Sequence, residues 1–119
     1  MNVTPYTLII YEDTDKKQPL IGWLLKLKDK KAQVTIPIRL LRLSEGNPGD
    51  VKSVGDGVHE LRITTGPGYR VYFAYDENKA KVIVLLMGGD KSTQKKDVKQ
   101  AKIFWEDYQF RQQQGENHE

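Results

Sequence analysis

The periodicity of apolar positions changes along the chain, and each change marks an element. "YTLIIYED", Tyr6 to Asp13, is rich in β-branched and aromatic residues and closes on charges, which predicts an opening strand. After the polar turn "DTDKKQP", Leu20, Trp23, Leu24 and Leu27 recur at helical spacing through "PLIGWLLKLKDKK", and Pro19 stands where a helix can begin. In "AQVTIPIRLLRLSEG" the leucines at 40, 41 and 43, with Arg39 and Arg42, are again helical and stop at Gly46. Pro37 lacks a backbone donor and clashes with the preceding turn, so a kink, or a second helix restarting near it, is expected. "SEGNPGDVKSVGDG" is dense in Gly, Asn, Asp and Pro and reads as a loop.

Beyond that loop, "VHELRITT", "YRVYFAYD" and "KVIVLLM" are rich in Val, Ile and Tyr. Only "TGPG" and "ENKA" separate them, and connections that short force neighbouring antiparallel strands. The last of the three is almost wholly apolar, as suits a central strand covered on both faces. "GGDKSTQKKDVKQAKIFWEDYQFRQQQ" then returns to helical spacing, with Ser92 or Thr93 as cap and a stripe of Val98, Ala101, Trp105 and Tyr108. The expected fold is α+β: an N-terminal strand, a helical hairpin, a three-stranded antiparallel meander and a C-terminal helix. Its helices would lie on one face of a mostly antiparallel sheet. One domain is expected over residues 1–112, with a polar, frayed tail over 113–119.

Composition narrows the class without changing the fold. A chain of 119 residues supports a single core, and 38% hydrophobic with 29% charged residues is ordinary for a soluble globular protein. The longest apolar run, Val82 to Met87, is far too short to span a bilayer. "MNVTPYTLII" has no basic segment leading into a long apolar run, so no signal peptide is read. The absence of cysteine excludes disulfides and thiolate metal sites and fits a cytoplasmic protein. The net charge of +3 leans toward anionic partners, but only converging cations would make a focused patch.

Most catalytic chemistries find no support. The only histidines are His59, in a strand, and His118, in the tail, so neither a zinc set nor a Ser-His-Asp triad forms, and no metal or cofactor is expected. "MGGDKST" has the parts of a phosphate loop, yet Asp90 splits Gly89 from Lys91 and the required upstream glycine is missing. "GPGYRV" leads into a strand pattern, whereas a dinucleotide fingerprint opens a helix. What persists is a set of cations at fixed places: Lys52 ahead of the sheet, Arg62 and Arg70 on the first hairpin, and Lys91 where the last strand meets the final helix. Lys95 and Lys96 extend that neighbourhood, and a helix start offers unpaired N–H groups to phosphate. Tyr69 and Tyr72 could stack on unpaired bases. An equally physical reading pairs Glu60 with Arg62 or Arg70 and leaves the lysines to solvate the surface.

The ordered motifs "GNPGDVKSVGDGV", "ELRI", "GPGYRVYF" and "GGDKSTQ" resemble the RelE/ParE superfamily of bacterial toxins, most of all its HigB-like branch of addiction-module killer proteins. With "QPLIGWLLKLKD" resembling the branch's first helix, the likeness spans residues 5 to 110; "VTIPI" departs from it, because a continuous helix is usual there. The resemblance implies a type II toxin with a RelE-like fold, neutralised by an antitoxin, commonly of helix-turn-helix type. RelE-like members enter the ribosome and cut mRNA, whereas ParE-like members poison DNA gyrase. A decayed member would only bind antitoxin and help to repress its operon.

By the same resemblance, Arg70 matches the strand arginine at the scissile phosphate, Lys91 the basic residue ending the last strand, and Lys52 the region supplying further lysines. RelE's C-terminal tyrosine has Asp97 at the nearest position, leaving Tyr69 or Tyr72 as substitutes. Metal-free cleavage by 2′-OH attack needs a base, an acid and a cation on the phosphorane. Arg70 suits the last role, and clustering of Lys52, Arg70 and Lys91 would lower a lysine's pKa toward that of a base. Without a His–Glu pair, such an enzyme would depend on the ribosome to orient its substrate.

Overall fold

A computed structural model describes residues 5–117. A five-stranded mixed sheet in the order β1-β5-β4-β3-β2 forms its centre. The strands are β1 (Thr7–Ile10), β2 (Val51–Gly55), β3 (Val58–Ile63), β4 (Tyr69–Tyr75) and β5 (Val82–Asp90). Helices α1 (Pro19–Lys26) and α2 (Lys30–Ser44) follow β1, and a short 3-10 turn, Lys91–Thr93, leads from β5 into α3 (Gln94–Asn117). The fold is α+β, as expected, and the meander of β3, β4 and β5 is antiparallel throughout. β1 adds to β5 in parallel; α1 and α2 carry the chain from that edge to β2 at the opposite one, and the antiparallel strands then return to β5.

Four features depart from the sequence reading. Val51–Gly55, inside the expected loop, forms an edge strand on β3, with a register shift between Ser53 and Gly55. The helical hairpin breaks at residues 27–29, and α2 runs unbroken through Pro37. Asp29 sets the new boundary, because its carboxylate accepts the Ala32 N–H at 3.1 Å. Pro37 lies on the solvent side of α2, where water can serve the carbonyl it leaves unbonded, which lessens one part of its cost. α3 continues to Asn117, through part of the segment read as a frayed tail; His118 lies outside the described residues. Its entry is capped by Asp90, which accepts the Ser92 N–H at 2.8 Å, in place of Ser92 or Thr93.

The fourth departure concerns layering: helices cover both faces of the sheet. One face packs Leu61, Ile63, Val71, Phe73, Ile83 and Leu85 against Leu20, Ala32, Ile36 and Leu43 of α1 and α2. The other packs Val58, Tyr72, Ala74, Val84 and Leu86 against Ala101, Trp105 and Tyr108 of α3. Strand alternation divides the residues between the two cores, which is why β5 carries almost no polar residue. At its C-terminal end, small size matters instead. A Cβ on Gly88 would lie 2.6 Å from Cζ3 of Trp23, and one on Gly89 would lie 2.8 Å from Cγ of Asp97. The two glycines of "MGGDKST" thus let α1 approach one face and α3 the other.

Two outcomes are expected. Gly88→Ala should destabilise the protein by about 1–3 kcal/mol, because the added methyl overpacks a buried strand. Gly22→Ala, in α1 with nothing near its missing Cβ, should stabilise by about 0.5–1 kcal/mol. Paired urea titrations of the two variants check both signs. The second outcome concerns His59, stacked on Phe73 at a centroid distance of 5.3 Å. Burial lowers its pKa below the ordinary 6.5. The unfolded chain then binds the proton more readily, so stability should fall as pH drops from about 7.5 to about 5.5. His59→Gln should flatten that slope in urea midpoints measured across the same window.

Candidate functional site

The site is organised by one carbonyl in the turn between β3 and β4. Gly68, at φ +83, adopts a left-handed conformation that favours glycine. Its carbonyl oxygen accepts from Arg70 Nη1 at 3.0 Å and from the Lys91 backbone N–H at 3.0 Å. The turn "GPGYR" is thereby fastened to the exit of β5, and Arg70 and Lys91 flank the same peptide. Arg70 is largely buried, whereas the Lys91 side chain is exposed.

Behind Arg70 lies a carboxylate removed from water. Glu60 of β3 is fully buried; its Oε2 accepts from Gln94 Nε2 at 2.9 Å and from the Tyr72 hydroxyl at 3.2 Å. Its Oε1 faces Arg70 Nε at 3.5 Å, and these two atoms have no hydrogen-bond partner. The pair is therefore coulombic without a direct hydrogen bond. Burial first, then the charges of Glu60 and Asp97, push the Tyr72 phenol far above its ordinary pKa, so it serves as a fixed O–H donor. Asp97, also buried, sits over Gly89 and accepts from Thr93 Oγ1 at 2.5 Å.

Arg70 and Arg62 stand directly opposite each other on β4 and β3. Like charges in that arrangement repel, and each arginine has its own acid: Arg70 has Glu60, while Arg62 Nη2 meets Asp50 at 2.8 Å. Together they line a shallow cleft of about 310 Å³ with Gly68, Tyr69, Thr64 and Ile63. The two ion pairs differ in kind. Asp50 and Arg62 are 44% and 39% exposed, so an incoming anion can displace Asp50, whereas Glu60 is sealed beneath the sheet and cannot leave. Arg70 is thus anchored from behind and presents an edge to the cleft.

The other sequence-selected residues are placed less simply. Lys52 is exposed on edge strand β2, in register with Glu60 and two strands from β4, about 10 Å across the sheet. The expected cluster of Lys52, Arg70 and Lys91 therefore reduces to its last two members. Lys95 and Lys96 are exposed on the first turn of α3. The helix start is less open to phosphate than expected, because Asp90 already occupies the Ser92 N–H and its hydroxyl. These bonds hold the Asp90 carboxyl below its usual pKa, with Arg70 contributing.

Neither tyrosine offers a stacking face. Tyr72 is fully buried against α3, and Tyr69 is 7% exposed on the opposite face, donating to Asp29 at 3.0 Å and meeting Trp23 edge-on. Base stacking by Tyr69 or Tyr72 is corrected on that ground. Gln94 and Asp50 were not selected from sequence, and Glu60 was read only as an ion-pair partner of Arg62 or Arg70; Arg70 is the one it meets. Glu60 carried a signal nonetheless: it shares strand parity with the core residue Val58, so a carboxylate was bound to point inward.

The far end of the same strands is acidic. Asp56, Asp76 and Glu77 border a second cleft of about 310 Å³ with His59, Trp105 and Tyr108. Asp76 there is buried and accepts from the Tyr108 hydroxyl at 2.7 Å. Lys102 meets Asp56 there at 3.4 Å, whereas the Arg70 cleft is lined by two arginines and a single acid, Asp50. Among the described residues, no three His, Asp or Glu side chains are grouped to hold a metal ion, and no helix is long and apolar enough to cross a membrane.

Residues 22–106 match the family described as phage derived protein Gp49-like. The chain is also 54% identical, over 82 residues, to an uncharacterized protein of Haemophilus influenzae, covering 69% of this chain and 81% of that one. No solved structure matches it.

The buried pair generates a testable energy pattern. Glu60→Ala leaves the largely buried Arg70 without its counter-charge and should cost about 3–5 kcal/mol. Arg70→Met strands Glu60 instead and should also destabilise. The double variant should cost less than the two single losses added together. Urea titrations of the four proteins measure the coupling, and simple additivity would remove the pair from its central place.

Proposed function

From the premise that this chain belongs to the phage-derived Gp49-like family, related to toxin-like addiction modules of the RelE/ParE type, we propose that it is the toxin of a type II toxin–antitoxin pair. Its proposed activity is metal-independent cleavage of mRNA on the ribosome, and its partners are a cognate antitoxin, the ribosome and the message, in the cytoplasm. The observation that carries this reading is the shared Gly68 carbonyl. It holds a buried-anchored guanidinium beside a lysine at the end of the sheet, next to a cleft with a second arginine. That geometry suits a phosphodiester approached along its backbone.

The geometry supports the following division of labour. Arg70 stabilises the charge that builds on the phosphorane, because its planar fork stays charged and is already oriented by Glu60 and Gly68. Arg62 exchanges Asp50 for an adjacent phosphate and sets the register of the strand. Lys91, Lys95 and Lys96 neutralise backbone charge, with Lys52 acting on a more distant nucleotide. Glu60 and Asp97 are too deeply buried to take a proton from a substrate hydroxyl. A site of this kind supplies charge and position, with the ribosome orienting the 2′-OH for in-line attack.

The discriminating variant is Arg70→Lys, because Arg70→Ala would also orphan Glu60 and confuse activity with folding. Arg70→Lys keeps the charge and removes the fork. It should lower cleavage by about 10²–10³-fold while leaving most of the stability intact. Induced expression should halt bacterial growth, with 5′-end mapping showing cuts inside translated mRNAs and none in free RNA given to the purified protein. Intact mRNA accompanied by gyrase-linked DNA breaks would overturn the nuclease reading in favour of a ParE-like inhibitor. Absence of any growth arrest would leave only the antitoxin-binding co-repressor.

A further inference from the structure

We propose that the outward face of α2 docks an amphipathic helix of a partner protein, with acidic side chains bordering that helix's apolar stripe. The helix carries two apolar faces. Ala32, Ile36 and Leu43 are 0–1% exposed and pack into the core, while Val34, Ile38 and Leu41 are 63%, 46% and 61% exposed. The second set is spaced i, i+4, i+7, which aligns it in one stripe on the side opposite the first. Pro37, also exposed, widens that stripe with a further apolar ring. Aliphatic residues in that order on a solvent face have no role in this chain's own core.

Charge selects the occupant. Lys30–Ser44 contains no acidic residue, and its exposed cations, Lys30, Lys31 and Arg42, border the stripe on both sides. The remaining cation, Arg39, is turned inward and donates to the carbonyls of Arg62 and Pro48 at 2.7 and 2.9 Å. A second copy of the chain would bring this basic border against its own equivalent, which opposes a symmetric pair. A bilayer surface would call for a broader face with aromatic anchors, and the stripe holds none. A helix presenting Leu or Ile at matching spacing, rimmed by Glu or Asp, satisfies both the apolar and the charged parts. α2 has 15 residues and is therefore about 22 Å long, room for such a helix to lie along it.

The inference concerns binding alone, so it stands or falls separately from the nuclease reading, which end mapping decides. The test uses the full chain and two fluorescently labelled peptides with one apolar stripe, bordered by Glu in the first and by Lys in the second. Anisotropy titration should give the Glu-bordered peptide an affinity at least about tenfold tighter, weakening with salt. Ile38→Glu combined with Leu41→Glu should abolish that preference. Because a new charge could disturb folding, Val34→Ser with Leu41→Ser serves as a second variant, with melting curves checked for both. Equal affinity for the two peptides, no binding of either, or binding unchanged in both variants would overturn the proposal. So would a monomer–dimer equilibrium, or adsorption to phosphatidylglycerol vesicles, that the same variants remove.

Discussion

A carboxylate held away from water governs the Arg70 end of this molecule. Burying Glu60 is unfavourable unless its charge and lone pairs are answered, and the answers come from separate parts of the chain. Tyr72 and Arg70 approach from β4, and Gln94 from the first turn of α3. The three must stay in place together, because losing any one leaves the carboxylate short of a partner. The helix start, the central strand and the turn ahead of it are thereby tied to one buried point. Arg70 gains its orientation from that requirement, and Lys91 gains its place through the peptide that Arg70 also binds.

The arrangement sorts the cations into two kinds. Arg39, Arg62 and Arg70 each meet a carbonyl or a carboxylate of the fold, so their planar forks are already directed. Lys52, Lys91, Lys95 and Lys96 are exposed on flexible stems and act as adjustable point charges around them. Recognition of an extended polyanion benefits from both: a fixed fork selects one phosphate, and mobile charges tolerate the varied path of the rest. The cleft at the other end of the strands is lined instead by Asp56, Asp76 and Glu77.

How much of this was legible depends on whether the signal was local. The meander of β3, β4 and β5 could be read because four-residue connections leave adjacent antiparallel pairing as the only economical outcome. β2 was hidden because Gly49 and Gly57 flank it and Gly55 ends it, so a five-residue edge strand looked like loop. Pro37 misled because sequence does not say which side of a helix faces solvent, and Pro37 lies exposed within an unbroken α2. Asp29 was the better boundary signal, with a helix-capping side chain three residues before the first core alanine. At the site, Arg70 and Lys91 were selected from sequence and Glu60 was read as a partner of Arg62 or Arg70, but Gln94 and Asp50 were not, since they meet Glu60 and Arg62 only through the fold. Tyr69 and Tyr72 were misplaced because aromatic content suggested surface chemistry, while both faces of β4 are buried.

That double burial also explains why the candidate site lies where it does. With helices on both faces, β3, β4 and β5 cannot present a functional side chain from the middle of a strand to solvent. Only strand ends and turns remain, and the Gly66–Gly68 turn is where β4 begins beside the exit of β5. Gly88 and Gly89 keep that exit thin enough for Trp23 and Asp97 to close over it from opposite sides. The same pair that imitates a phosphate loop in sequence therefore contributes by steric absence. It brings α3 down until Gln94 can reach Glu60, and the position of Arg70 follows from that contact.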